Sequence, residues 1–247
     1  MTLFDTHAHY DHERFDGDRD AVLAGLSDYC YVVNVGSDLA SSERSIELAR
    51  KYPFVWAAAG IHPHCASAAP EDFEAAFTAL FADVRVVAVG EIGLDYHYDF
   101  SPRERQKEVF ARQLALAGRL KKPVVIHDRE AHADVLDIAR AHRDDFCGGE
   151  FHSFSGDRAL LRDALDLGYY IAFGGMLTFK KSFALAEAAV YVPPDRLLIE
   201  TDCPYLAPEP YRGQRTDAPR VGLVAARLAE LRRADAEEIA RLTCENA

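Results

Sequence analysis

Positive charge is in short supply: 28 lysines and arginines stand against 40 aspartates and glutamates, a formal net charge of −12. That excludes a broad basic surface, and with it an extensive duplex-binding face gripping many phosphates. A local anion site survives the exclusion, because bound divalent cations invert the charge of an acidic pocket. No uninterrupted apolar run is long enough to span a bilayer, and Asp5 and two histidines occupy the N-terminal stretch where a secretion signal needs an apolar core. We expect a cytoplasmic protein with no membrane partner. Cysteine is sparse, five residues at positions 30, 65, 147, 203 and 244 without a C-x-x-C pair, and an odd number suits no disulfide framework. These thiols are expected to be reduced packing residues. Internal repeats, linkers and low-complexity tracts are missing too, as is a glycine-rich dinucleotide fingerprint at the first strand-to-helix junction.

What is present is a series of short, continuous, β-rich apolar runs, beginning near residues 3, 29, 54, 84, 122, 147, 169 and 196. Continuity rather than alternation is the pattern of parallel strands covered on both faces. Helix signals fall between them. Ser101 is the expected N-cap of a helix with Pro102 at its first position and Glu104 closing a capping box. Further helices are expected near Pro70, Arg129, Asp157 and Ala218, with Gly168 as a stop and DAEE at 235–238 opening the last one. Eight such units in 247 residues predict a single-domain (β/α)8 TIM barrel over residues 1–247, a fold of roughly 250 residues. A doubly wound open sheet, the competing architecture, would want the absent glycine fingerprint.

Residues 3–15 read LFDTHAHYDHERF, and Asp5, His7 and His9 take every second position. On a strand, side chains spaced by two share a face, so the three are expected to converge on one small volume. In a barrel the carboxyl ends of the strands form a ring, and polar residues close six of the apolar runs: His7 and His9, His62, Glu91, His127, His152 and Asp202. Imidazole plus carboxylate without thiolate suits zinc, manganese, nickel or iron. Glu91 is the natural bridge between two ions, His7, His9 and Asp202 serving one, His127 and His152 the other. Two ions about 3.5 to 4 Å apart would lower the pKa of a shared water, which is hydrolytic chemistry. Asp202 has a second possible role as the acceptor of that water's proton. Cys203 beside it faces the other way and is expected to pack.

DTHAH (5–9), GIHPH (60–64), GEIGLDY (90–96), PVVIHDRE (123–130), FHSFSG (151–156), FGGMLTFK (173–180) and LLIETDCPYLAP (197–208) together resemble the TatD family of metal-dependent deoxyribonucleases. The FGG and TDCPY wording is most similar to its YcfH/YabD branch. The resemblance spans the chain and implies a TIM-barrel hydrolase of the amidohydrolase-like superfamily, with metal ligands on His7, His9, Glu91, His127, His152 and Asp202. It also implies a deoxyribonuclease, often a 3′ to 5′ exonuclease, associated with Mg²⁺ although relatives frequently carry zinc or other transition ions. Two divalent ions, Mg²⁺, Mn²⁺ or Zn²⁺, are the expected cofactors. The sequence departs from the family after YRG (211–213), where QRTDAP replaces a basic residue followed by N-E-P, leaving Arg215 as a possible stand-in. It also stops at CENA, where relatives continue with an apolar turn.

A phosphodiester needs positive or hydrogen-bonding partners beyond the ions, and His62, Arg129, Lys180 and Arg212 are the candidates. Lys180 and Lys181 equally fit a solvated helix start. Tyr96 or Tyr205 is a candidate platform for a terminal base. Acidic net charge directs the nuclease reading to DNA ends or short single strands. Two other readings stay open: an amidase, deacylase or lactonase using the same ligands on a carbonyl, and a non-catalytic metal-binding barrel.

Overall fold

The computed structural model describes residues 2–27 and 29–247. Eight strands, β1 (Leu3–Ala8), β2 (Cys30–Val35), β3 (Val55–Ala59), β4 (Val86–Asp95), β5 (Val124–Arg129), β6 (Gly149–Phe151), β7 (Tyr170–Phe173) and β8 (Leu197–Ile199), form one sheet in sequential order. All adjacent pairs are parallel. The ring closes where Ala8 bridges Cys203 in parallel, with His9 N donating to Cys203 O at 2.8 Å and Asp202 N to His7 O at 2.9 Å. The result is the single (β/α)8 barrel expected from the eight apolar runs.

Helices α1 (Arg19–Ala24), α2 (Leu39–Lys51), α3 (Phe73–Leu80), α4 (Arg103–Leu120), α5 (His132–Ala141), α6 (Arg158–Asp166), α7 (Phe183–Tyr191), α8 (Val221–Arg232) and α9 (Ala236–Asn246) cover the outside. The main core lies between strands and helices, where Cys30, Val32, Phe110, Ile126, Phe151, Phe173 and Cys203 are buried. Cys203 therefore packs, as its strand parity requires. A smaller cluster of Val33, Val35, Ala58, Ala88 and Val125 fills the barrel interior. Small and β-branched side chains suit that confined axis.

Local chemistry explains several element boundaries. Asp157 caps α6 by accepting from Ala159 N and Leu160 N, and Gly168 ends that region with φ +91, a conformation costly for side-chain-bearing residues. Asp235 caps α9, as its DAEE opening predicts. Ser101 does not cap α4. Its hydroxyl instead accepts from Ser67 N and donates to His64 O, both at 3.0 Å, so it ties a loop after β3 to the loop after β4. The helix expected near Arg129 is α5, which begins at His132 just after Arg129 ends β5.

Candidate metal centre

At the carboxyl end of the barrel, a cavity of about 470 Å³ is walled by His9, His62, Glu91, His127, His152 and Asp202. Its floor is organised by the two oxygens of Glu91, which is 3% exposed. Oε2 lies 3.4 Å from His7 Nε2 and 3.7 Å from His9 Nε2. Oε1 lies 2.8 Å from His127 Nδ1, 3.0 Å from His152 Nε2 and 3.4 Å from His62 Nε2. Asp202 Oδ1 joins the first group at 3.5 Å from His9 Nε2. The side chains thus fall into two sets, one on each oxygen of a single carboxylate. β-Strand backbones press together to achieve this: Gly93 has φ +139, and a Cβ there would meet the His127 carbonyl oxygen at 2.0 Å.

Asp5 does not join His7 and His9. The register of β1 on β2 shifts between Asp5 and Ala8, and the Asp5 carboxylate accepts from Thr201 N at 2.8 Å and pairs with Thr201 Oγ1 at 2.6 Å. Burial pushes its pKa up to about 8, so it is a neutral structural acid at neutral pH.

Imidazole tautomers separate ligands from donors. His9 Nδ1 donates to the Val35 carbonyl at 2.8 Å, which leaves the Nε2 lone pair facing Glu91 and Asp202. His127 Nε2 donates to Asp95 Oδ2 at 3.1 Å, which leaves its Nδ1 lone pair facing Glu91. His152 Nδ1 lies 3.3 Å from Glu200 Oε1, with Nε2 turned to the cavity. Such carboxylate or carbonyl partners set the orientation and basicity of metal-binding histidines. His62 is wired the other way: Nδ1 accepts from His64 N at 3.1 Å, so its Nε2 carries the proton. Distance alone would group His62 with Glu91 and His127 as a third set of ligands. A protonated Nε2 has no lone pair to give, and His62 is better described as a hydrogen-bond donor into the cavity.

The charges are strongly coupled. Burial would raise the Glu91 pKa, but the surrounding His62, His152, His7 and His127 hold it well below the carboxylate range. Burial opposes charge on His9, yet Asp202 and Glu91 outweigh it and raise its pKa to about 9. His152 and His127 are likewise raised against burial, by Glu91 and Glu200 for the one and by Asp95 and Glu91 for the other. Burial dominates at His7, which is lowered, and at His62, which falls to about 4. A buried set of imidazoles whose charge is wanted by neighbouring carboxylates is a place built for cations. His7 Nε2 sits 3.1 Å from His9 Nε2, and His127 Nδ1 sits 3.3 Å from His152 Nε2, so nitrogen donors converge in pairs. The donor chemistry fits divalent ions that accept nitrogen and oxygen.

The expected substrate contacts divide. His62 and Arg129 line the cavity, and the Arg129 guanidinium makes no ion pair or hydrogen bond among the described residues. Tyr205 lines it as well. Tyr96 lies outside these walls, its hydroxyl on Asp134 Oδ2 at 2.5 Å and its ring under the Arg103 guanidinium at 4.2 Å. Arg212 stacks on Phe179 at 4.3 Å, and Lys180 is exposed ahead of α7; neither reaches the cavity. Sequence reasoning missed Asp95, Glu200 and His64. Asp95 was findable by parity, since it stands four residues after Glu91 on β4, whereas Glu200 and Asp202 both lie beyond the end of β8.

Comparison with known proteins agrees with this geometry. The family model for TatD related DNase matches residues 4–247. YabD of Bacillus subtilis, described as an uncharacterized metal-dependent hydrolase, is 42% identical, with 99% of this chain and 97% of YabD covered. A protein of Citrobacter koseri named 3′-5′ ssDNA/RNA exonuclease TatD is 34% identical, with 99% and 96% covered. Among solved structures, YJJV, a TatD homologue of Escherichia coli K12, superposes with a TM-score of 0.92 at 31% identity, covering 99% of this chain and 95% of that one. The chain belongs to the TatD family and is a metal-dependent hydrolase.

Proposed function

We propose that this hydrolase cleaves phosphodiester bonds as a 3′ to 5′ exonuclease on single-stranded or frayed DNA ends, with two divalent ions held across Glu91. The observation that carries the proposal is the division of six side chains about the two oxygens of Glu91, His7, His9 and Asp202 on one side and His127, His152 and His62 on the other. His7, His9 and Asp202 would hold one ion and His127 and His152 the other, with Glu91 within reach of both. Nitrogen-rich donors favour Zn²⁺ or Mn²⁺ over Mg²⁺, which prefers oxygen ligands and retained water. Bound ions supply Lewis acidity toward phosphoryl oxygens and make water more acidic.

The chain's own groups do the rest. The Asp202 pKa is lowered, against burial, by His9, His152 and His7, so its carboxylate is ionised and can accept a proton from attacking water. Arg129 binds a non-bridging phosphate oxygen through its guanidinium, which lines the cavity. His62 donates Nε2–H to another. Support for the nuclease reading comes from the named activity of the Citrobacter koseri relative and from Arg129 and His62, which line the cavity and can meet a phosphate. The five free cysteines agree with a reducing, cytoplasmic setting. No helix among the described residues is long and apolar enough to cross a membrane.

Metal-stripped protein supplied separately with Mg²⁺, Mn²⁺ or Zn²⁺ and a 3′-labelled single-stranded oligonucleotide tests this reading. Stepwise release of nucleotides that requires both metal and Glu91 is the expected result. An intact oligonucleotide beside hydrolysis of simple amides or lactones would move the reaction to carbonyl chemistry.

A further inference from the structure

Between Asp95 and Ser101 the chain carries two aromatic side chains that the core does not use. Tyr98 is 54% exposed and Phe100 68%. Their rings stack on one another, with centroids 5.4 Å apart and planes 28° from parallel. Both line the metal-site cavity, and the His64 ring meets them edge-on at 5.4 and 4.8 Å. Paired, exposed aromatic rings beside a polar hydrolytic centre are a recognition surface rather than a packing one.

The loop that carries the pair is tied at both ends. Asp95 Oδ1 accepts from Tyr98 N at 2.8 Å and His97 N at 3.0 Å, while its Oδ2 accepts from His64 Nε2 at 2.8 Å and His127 Nε2 at 3.1 Å. Ser101 anchors the far end of the loop through Ser67 and His64. One carboxylate therefore ties the start of the loop that carries the aromatic pair to His127 of the metal centre. Arg129, beside Asp95 in the β4–β5 register, brings a guanidinium without a partner among the described residues to the same side of the mouth.

A ligand that uses all three features has a planar π-surface attached to a phosphate. A sugar phosphate without a base leaves the rings idle, and a paired base is held back from the cavity by its partner and its own stack. We propose that Tyr98 and Phe100 are the stacking platform for the unpaired base of the terminal nucleotide of a single-stranded substrate, an inference that rests on the nuclease reading. Stacking tolerates every base, so the platform confers preference for single strands without sequence preference.

The test uses Mn²⁺-loaded full-length protein, wild type against Tyr98→Ala/Phe100→Ala and Tyr98→Leu/Phe100→Leu. Substrates are a single-stranded oligonucleotide and the same strand ending in an abasic residue, and circular dichroism confirms that the variants fold. Both variants are expected to raise KM for the normal strand by about five-fold or more, the low end for loss of one base stack, with kcat little changed. Wild type should show the same rise on the abasic strand, and the variants no further rise there. Because leucine keeps apolar bulk without a π-face, its agreement with alanine identifies stacking. Cleavage by wild type with KM unmoved in both variants overturns the platform and leaves the nuclease reading standing. Wild type that neither binds nor cleaves either strand overturns both.

Discussion

Oδ2 of Asp95 lies 3.1 Å from Nε2 of His127, and this contact decides which nitrogen of that imidazole faces Glu91. His127 presents Nδ1 to the centre because its other nitrogen is occupied. Asp95→Asn exchanges one acceptor oxygen for a donor and frees the ring to adopt the other tautomer. We expect metal affinity to fall by roughly 10- to 100-fold, read by competition with a chromophoric chelator. Unchanged affinity in a folded variant would show that Asp95 serves the loop alone.

His62 and His9 make opposite predictions although both approach Glu91. His62→Ala removes a donor, so metal content should persist while KM for the oligonucleotide rises. His9→Ala removes a lone pair, and bound metal should fall with it. Elemental analysis of both variants beside their KM values separates the roles; loss of metal from His62→Ala would make it a ligand.

The raised His9 pKa ties pH to stability in a defined direction. A histidine with a folded pKa of about 9 against an ordinary 6.5 stabilises the metal-free protein fully below 6.5, and that contribution disappears as pH rises through 9. The same proton competes with metal, so affinity rises over the same window. The melting temperature of metal-free protein should therefore fall from pH 6.5 to 9 while the gap to the Zn²⁺-loaded form widens. A gap that stays constant contradicts the assignment of His9 as a ligand.

Gly93→Ala is expected to cost more than about 1 kcal/mol, since φ +139 is strained for alanine and the new Cβ meets the His127 carbonyl. Thermal unfolding should report the loss, and metal titration should show weakened binding, because any relief moves β5 away from β4.

The barrel and its ring of strand-end histidines and carboxylates were legible because parallel strands covered on both faces leave continuous apolar runs, and a polar residue ending such a run is conspicuous. Asp5 misled: strand parity placed it with His7, whereas the shifted register and Thr201 took it elsewhere. Ser101 has the sequence context of a cap, but cap chemistry is local and its tertiary partners Ser67 and His64 won. Tyr96 and Tyr98 are equally aromatic on paper; only packing shows the first engaged by Asp134 and Arg103 and the second open to the cavity. The tautomers of His9, His62 and His127 depend on Val35, His64 and Asp95, contacts that no spacing rule reveals.

If Glu91 joins two ion sites, calorimetric titration of Zn²⁺ into metal-free protein counts them. Two equivalents should bind to wild type, and no more than one with comparable affinity to a folded Glu91→Ala variant. Two full-affinity sites surviving in Glu91→Ala, or a single site in wild type, would contradict the account.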